Sequence, residues 1–194
     1  MAYEMTGTWD NSAIPTKSRE RDTAEATTSS TKGDVTAHAL ASGQNTTDHD
    51  SNATAATQAK FKATVDWKGA GDPPPGKIKI SVNFDHRHDV VVRAQKPEAA
   101  SVTAYTTVAI TYDNRTIKSK HPDSVIPLTA PPSDTDTMAS TAPDTLESGI
   151  IEHTGSIGFE VTIYAYAHAE RTGGDAFAQA TVELKNCVVT PQIT

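Results

Sequence analysis

Cysteine is almost missing from this chain of 194 residues: Cys187 stands alone. No intrachain disulfide can form, and no cysteine-based zinc site can be built from the chain itself. Stability has to come from packing or assembly. Long apolar runs are missing as well. The longest span only a few residues, far short of the ~20 that cross a bilayer as a helix. The opening MAYEMTGTWD has neither a basic n-region nor an apolar h-region. Membrane insertion is not expected, and no signal peptide is visible. Positive charge is in deficit, with 17 Lys and Arg against 24 Asp and Glu and a formal charge of -7. That balance opposes binding to nucleic acid or to an anionic membrane. Catalytic fingerprints are lacking: there is no GxSxG, no HExxH, no P-loop and no dinucleotide-binding glycine pattern. His38, His49, His121, His153 and His168 are scattered. The chain is therefore read as a non-enzyme with no cofactor.

Hydroxyl side chains and alternation are what the sequence does have. Thr and Ser make up about a fifth of the chain, and Thr, being β-branched, fits a pleated face. Apolar residues recur at every second position, the period that puts them on one side of a strand. Residues 58 to 68 place Ala59, Phe61, Ala63, Val65 and Trp67 on one face. Residues 77 to 85 do the same with Ile78, Ile80, Val82 and Phe84, and GDPPPG connects the two runs. DHRHD at 85 to 89 reads as a polar hairpin turn leading into Val90, Val91 and Val92. Residues 101 to 112 align Val102, Ala104, Val108, Ile110 and Tyr112 before a turn at Asp113-Asn114. A last hairpin is expected from 157 to 170, through Gly173-Gly174, to 176 to 184. It buries Phe159, Val161, Ile163, Ala165, Ala167 and Ala169 on one strand, and Ala176, Ala178, Ala180, Val182 and Leu184 on the other.

Upstream the alternation thins. Val35, Ala37, Ala39 and Ala41 define one further run, and Tyr3, Met5 and Trp9 a shorter one. Residues 11 to 33 and 43 to 56 hold little that could bury, so on their own they cannot offset the entropy of ordering. From Lys118 to about Thr154 five prolines and no sustained alternation predict a long loop, with a helical turn near residues 143 to 147. One sizeable core fits this length. The fold class expected is an all-β, antiparallel β-sandwich of about eight strands, immunoglobulin-like or jelly-roll. It comprises an irregular low-complexity arm over residues 1 to 57 and a core over 58 to 194.

Each candidate site has a plainer reading beside it. His86 and His88, if extended, lie on one side and could share a metal; a solvated turn is the simpler account. Three Asn-X-Ser/Thr sequons begin at Asn45, Asn52 and Asn114, a number near chance in so hydroxylated a chain. The acidic pairs Asp48/Asp50 and Asp134/Asp136 lack the glycine and terminal glutamate of a calcium loop. Cys187, in an apolar CVV context, suits a small core residue. The outward faces say more. With Phe159, Val161 and Ile163 inward, Tyr164, Tyr166 and His168 face out, and by the same register Tyr105 and Phe177 face out. If their strands are neighbours, they form an aromatic patch that meets another protein surface or stacks on sugar rings.

The expected function is structural: a subunit of a virion, filament or surface layer whose arm and long loop order against copies of itself or other structural subunits. Its location would be a virion or an extracellular or cell surface. The alternative is a glycan-binding or adhesion module that uses the same aromatic face.

Overall fold

The computed structural model describes residues 3–10, 16–20, 24–42, 50–95, 97–122, 126–130, 135–173 and 175–193. Twelve strands occur among them, where about eight were expected, and all pair antiparallel. They are β1 (Tyr3–Asp10), β2 (Thr16–Glu20), β3 (Ala24–Thr31), β4 (Asp34–Ser42), β5 (Ser51–Trp67) and β6 (Pro75–Arg93). There follow β7 (Ala99–Tyr112), β8 (Arg115–Lys120), β9 (Ile126–Ala130), β10 (Thr135–Thr154), β11 (Ile157–Thr172) and β12 (Phe177–Ile193).

Two sheets face each other as a β-sandwich. The first runs β1-β5-β11-β7-β8, with β2 beside the start of β5 and β9 beside the start of β7; the second runs β10-β6-β12-β4-β3. Alternation sets which side chains meet between them, since odd positions of β5 and β11 and even positions of β6 and β7 are the buried ones. The inward sets read from the sequence for β4, β5, β6, β7, β11 and the first half of β12 are the ones found inside, except that Trp67 and Tyr112, at the ends of β5 and β7, are only half-buried.

The connections differ from the expected hairpins. β5 and β6 lie in different sheets, as do β11 and β12, so both the GDPPPG segment and the region of Gly173 carry the chain across the sandwich. Gly174 lies outside the described residues. A self-contained run of alternating residues does not encode which sheet its successor joins. Two connections are true hairpins within one sheet. β3 and β4 turn through Lys32-Gly33, and β7 and β8 through Asp113-Asn114, both residues of the latter having positive φ (50° and 57°). That is the two-residue geometry that matches the twist of the flanking strands.

DHRHD is not a turn. β6 runs through it without interruption, because Phe84, His86, His88 and Val90 continue the inward alternation while Asp85, Arg87 and Asp89 continue the outward one. The long loop expected at 118 to 154 is also corrected: β8 ends within it, and β9 and β10 fill most of the rest. The helical turn near 143 to 147 is strand. Pro143 is tolerated because β10 is an edge strand, where one missing donor breaks no ladder. Residues 11 to 33 contain β2 and β3. The ladders of β5 and β4 supply pairing that this composition cannot supply alone, and Ala24 is buried at the edge.

Two bulges shape the second sheet. An extra residue enters β10 between Glu147 and Ile150, where Gly149 has φ 81°, and another enters β12 between Lys185 and Val188, where Asn186 has φ 54°. Each switches the inward parity. β12 buries even positions up to Leu184 and then Cys187, while in β10 Leu146 gives way to Ile151 and His153. The core is uneven in consequence. One end is lined by alanines of β4, β5, β11 and β12, the other by Phe61, Phe84, Phe159, Ile78, Ile80 and Ile157.

Cys187, as the sequence suggested, is a core residue. Burial pushes its thiol up to about 12, with the charges of Asp34 and Asp85 adding to the effect. The thiolate is the reactive form. Alkylation by iodoacetamide at pH 8 is therefore expected to be blocked in the native protein and complete in urea. Native labelling at the rate of a free thiol would contradict this burial.

Candidate functional site

β11 and β7 lie side by side in the centre of the seven-stranded sheet, and their register sets Tyr166 directly opposite Tyr105, with Tyr164 opposite Thr107. These positions carry the outward parity, so the rings stand on the sheet's outer face. Tyr105 is the hub. Its ring stacks on Tyr166 with centroids 5.0 Å apart and planes 22° apart, lies 5.9 Å from Tyr164, and meets His121 edge-on at 6.3 Å. Offset aromatic pairs of this kind contribute about 0.5–1.5 kcal/mol beyond the area they bury.

Hydroxyls frame the rings. His121 Nδ1 lies 2.9 Å from Thr107 Oγ1, and His168 Nδ1 lies 2.9 Å from Thr54 Oγ1, one strand further along. His168 Nε2 also sits 3.9 Å from Glu170 Oε2. Next in line, Lys60 and Glu160 form an ion pair at 2.9 Å. Burial, followed by the neighbouring Tyr105, pushes the Tyr164 hydroxyl up to about 12; burial raises that of Tyr166 as well. Tyr164 and Tyr166 thus stay neutral across the physiological range. The cluster offers aromatic rings with hydroxyl donors and acceptors, each half-buried.

Four of the five sequence-derived contact residues, Tyr105, Tyr164, Tyr166 and His168, come together here. Phe177 does not. It opens β12 in the five-stranded sheet, paired with Ser42 and Arg93, because the chain crosses the sandwich after β11. His121 was the member that the sequence reading left out. A two-residue hairpin at Asp113-Asn114 folds β8 back along β7, and a one-residue bulge in β8 between Thr116 and Lys118 brings position 121, rather than 120, level with Thr107.

His86 and His88 are buried at 6% and 5% exposure and face the space between the sheets, level with Leu184 and Val182. Among the described residues, no group of three or more His, Cys, Asp or Glu side chains gathers to hold a metal. Asn52 lies within β5 and Asn114 in the exposed turn, while Asn45, Asp48 and Asp134 lie outside the described residues. Three depressions of about 280, 440 and 340 Å³ lie at the sandwich ends, near Arg171, His153 and Glu98 respectively. None of these three is lined by the tyrosine cluster.

No family model matches the chain, and no curated protein matches it. Among solved structures it shows weak similarity to the enzymatically active domain of bacteriophage CBA120 tailspike protein 4, at 8% identity and TM-score 0.19, over 98% of this chain and 19% of that one. It is also weakly similar to the VP2 subviral particle of infectious bursal disease virus, at 12% identity and TM-score 0.18, over 98% and 41%. The structure of the Gx strain of that virus gives 7% identity and TM-score 0.18, over 94% and 41%. The chain spans well under half the length of these proteins. At such TM-scores the likeness carries no argument about fold or function.

Proposed function

We propose that this protein is a non-enzymatic structural subunit that associates with copies of itself or with other structural subunits, as in a virion, a filament or a surface layer. The observation that carries this reading is the tyrosine cluster on the outer face of the seven-stranded sheet. It is aromatic, the chemistry enriched at the centre of protein interfaces, and its rim of Thr, Lys60, Glu160 and Glu170 is polar. Neighbouring strands of 14 to 17 residues support it with a broad, stiff face.

Mass photometry and sedimentation across a concentration series test the proposal. Truncating a central interface aromatic typically costs at least ~2 kcal/mol, so Tyr166→Ala is expected to raise the dissociation constant about 30-fold. A wild-type protein that remains a compact monomer at every concentration would refute it.

The Tyr105–Tyr166 stack also favours a second reading, glycan binding at a surface adhesion module, because sugar rings pack on such aromatic faces. A glycan array with Tyr164→Ala and Tyr166→Ala separates the two. Glycan binding lost in both variants supports this reading; binding that survives in both removes this site.

A further inference from the structure

A sheet with open edges can grow by adding a strand from another chain, unless its outward-facing backbone groups are removed or occupied. Along an antiparallel strand, each residue aims its N–H and C=O together at one side, and successive residues alternate sides. Register therefore identifies the outward groups. β6 lies between β10 and β12, and Ile80 N donates to Ser148 Oγ of β10 at 2.9 Å. Residues an even number from Ile80 on β6 thus address β10, and those an odd number away address β12. Both bulges put their extra residue into the partner strand, so this parity holds along the whole of β6.

Among the described residues the five-stranded sheet is open along β10, along β3, and along the part of β12 that runs beyond β4, and the first and last of these share one feature. β4 flanks β12 only as far as Leu184, which leaves the rest of that side of β12 without a paired strand among the described residues. Pro191 pairs with Ile80 across the other side. Ile80 turns its backbone away from β12, so the Pro191 nitrogen points into the open edge. Pro143 of β10 pairs with Asp85, an odd number from Ile80, and its nitrogen likewise points outward. At each edge, one position that would donate to an incoming strand has no hydrogen to give.

Beside Pro143 a second device occupies the next outward residue. Thr145 shares Pro143's parity. Its N–H donates to Asp144 Oδ1 at 2.7 Å, and its carbonyl oxygen lies 3.5 Å from Lys120 Nζ. Lys120 Nζ itself holds Asp144 Oδ1 at 2.6 Å, tying β8 of the other sheet to this edge.

We propose that Pro143 and Pro191, with the Lys120–Asp144 clamp on Thr145, are edge guards that hinder strand addition along β10 and along the free part of β12. The inference stands apart from the assembly reading, since an edge guard serves a monomer equally well.

Pro143→Thr and Pro191→Thr, singly and together, restore an N–H at each site, with Pro73→Thr in the β5–β6 connection as control. In mass photometry with thioflavin T fluorescence, the double variant is expected to form thioflavin-positive oligomers at a concentration at least ~10-fold below wild type. Pro73→Thr is expected to track wild type. A folded double variant with the wild-type size distribution overturns the proposal, as does equal association by Pro73→Thr. Hydrogen exchange on concentrated wild-type protein tests it without any substitution. The outward amides of Ala139 and Thr141 are expected to exchange as solvent-exposed groups, and protection there would show a strand added at a guarded edge.

Discussion

Gly33→Ala is expected to destabilise the protein by about 3 kcal/mol, lowering the urea midpoint by roughly 1 M or more at unchanged slope. Gly33 has φ 76°, a left-handed conformation that costs a residue with a Cβ about 1–2 kcal/mol. The added methyl would also stand 2.9 Å from the backbone oxygen of Cys187 and 3.6 Å from Trp9. A backbone oxygen cannot swing aside as a side-chain end can, so the turn itself has to shift. That turn fixes the β12 bulge: Gly33 O accepts from Cys187 N at 3.1 Å, and Asp34 Oδ1 accepts from Asn186 N at 2.8 Å. Displacing it loosens the parity switch that turns Cys187 and Val189 inward. Asn186→Gly, which keeps the left-handed geometry available, is the matched control and should cost only a few tenths of a kcal/mol. Equal midpoints for Gly33→Ala and wild type would mean that the turn moves freely.

The inward faces were legible because alternation is local. Every residue of β5 or β11 carries its own parity, and neither strand contains a bulge that would reverse it. The sheet partners were not legible. Nothing within residues 58 to 85 states whether β6 pairs with β5 or crosses to the other sheet, and the triple proline fits either. DHRHD misled because its charge resembles a turn, although His86 and His88 kept step with Phe84 and Val90. β10 was hidden for a related reason. The Ser148-Gly149 bulge breaks its period, and Pro143 reads as a stop unless the strand is already known to lie on an edge. The aromatic site was half legible: parity placed Tyr164, Tyr166 and Tyr105 outward, whereas excluding Phe177 needed the sheet order and admitting His121 needed the bulge in β8.

The same asymmetry predicts where the molecule resists unfolding. Phe61→Ala is expected to cost about 3–5 kcal/mol, the range for truncating a buried phenylalanine and leaving part of its volume empty. Phe61 is 8% exposed, with Trp9 at 5.4 Å and Phe159 at 6.5 Å between ring centroids. Its ring also covers Gly7 on β1, where a Cβ would fall 2.3 Å from Phe61 Cζ. The ring therefore fills the space that Gly7 leaves and carries the packing between β1 and β5. Phe61→Leu, which retains most of the apolar volume, should lose clearly less. The other end holds no buried phenylalanine: it is built mainly of alanines such as Ala39, Ala55, Ala167 and Ala180, with Val90, Val92, Val102 and Leu128 as its larger side chains. With little apolar area per residue, that end contributes less to stability, and in native-state hydrogen exchange its amides should open at lower free energy than those around Phe61. Uniform protection along β5 and β11, together with a Phe61→Ala cost below about 1 kcal/mol, would show that the long strands unfold as one unit and that the aromatic end holds no special share of the stability.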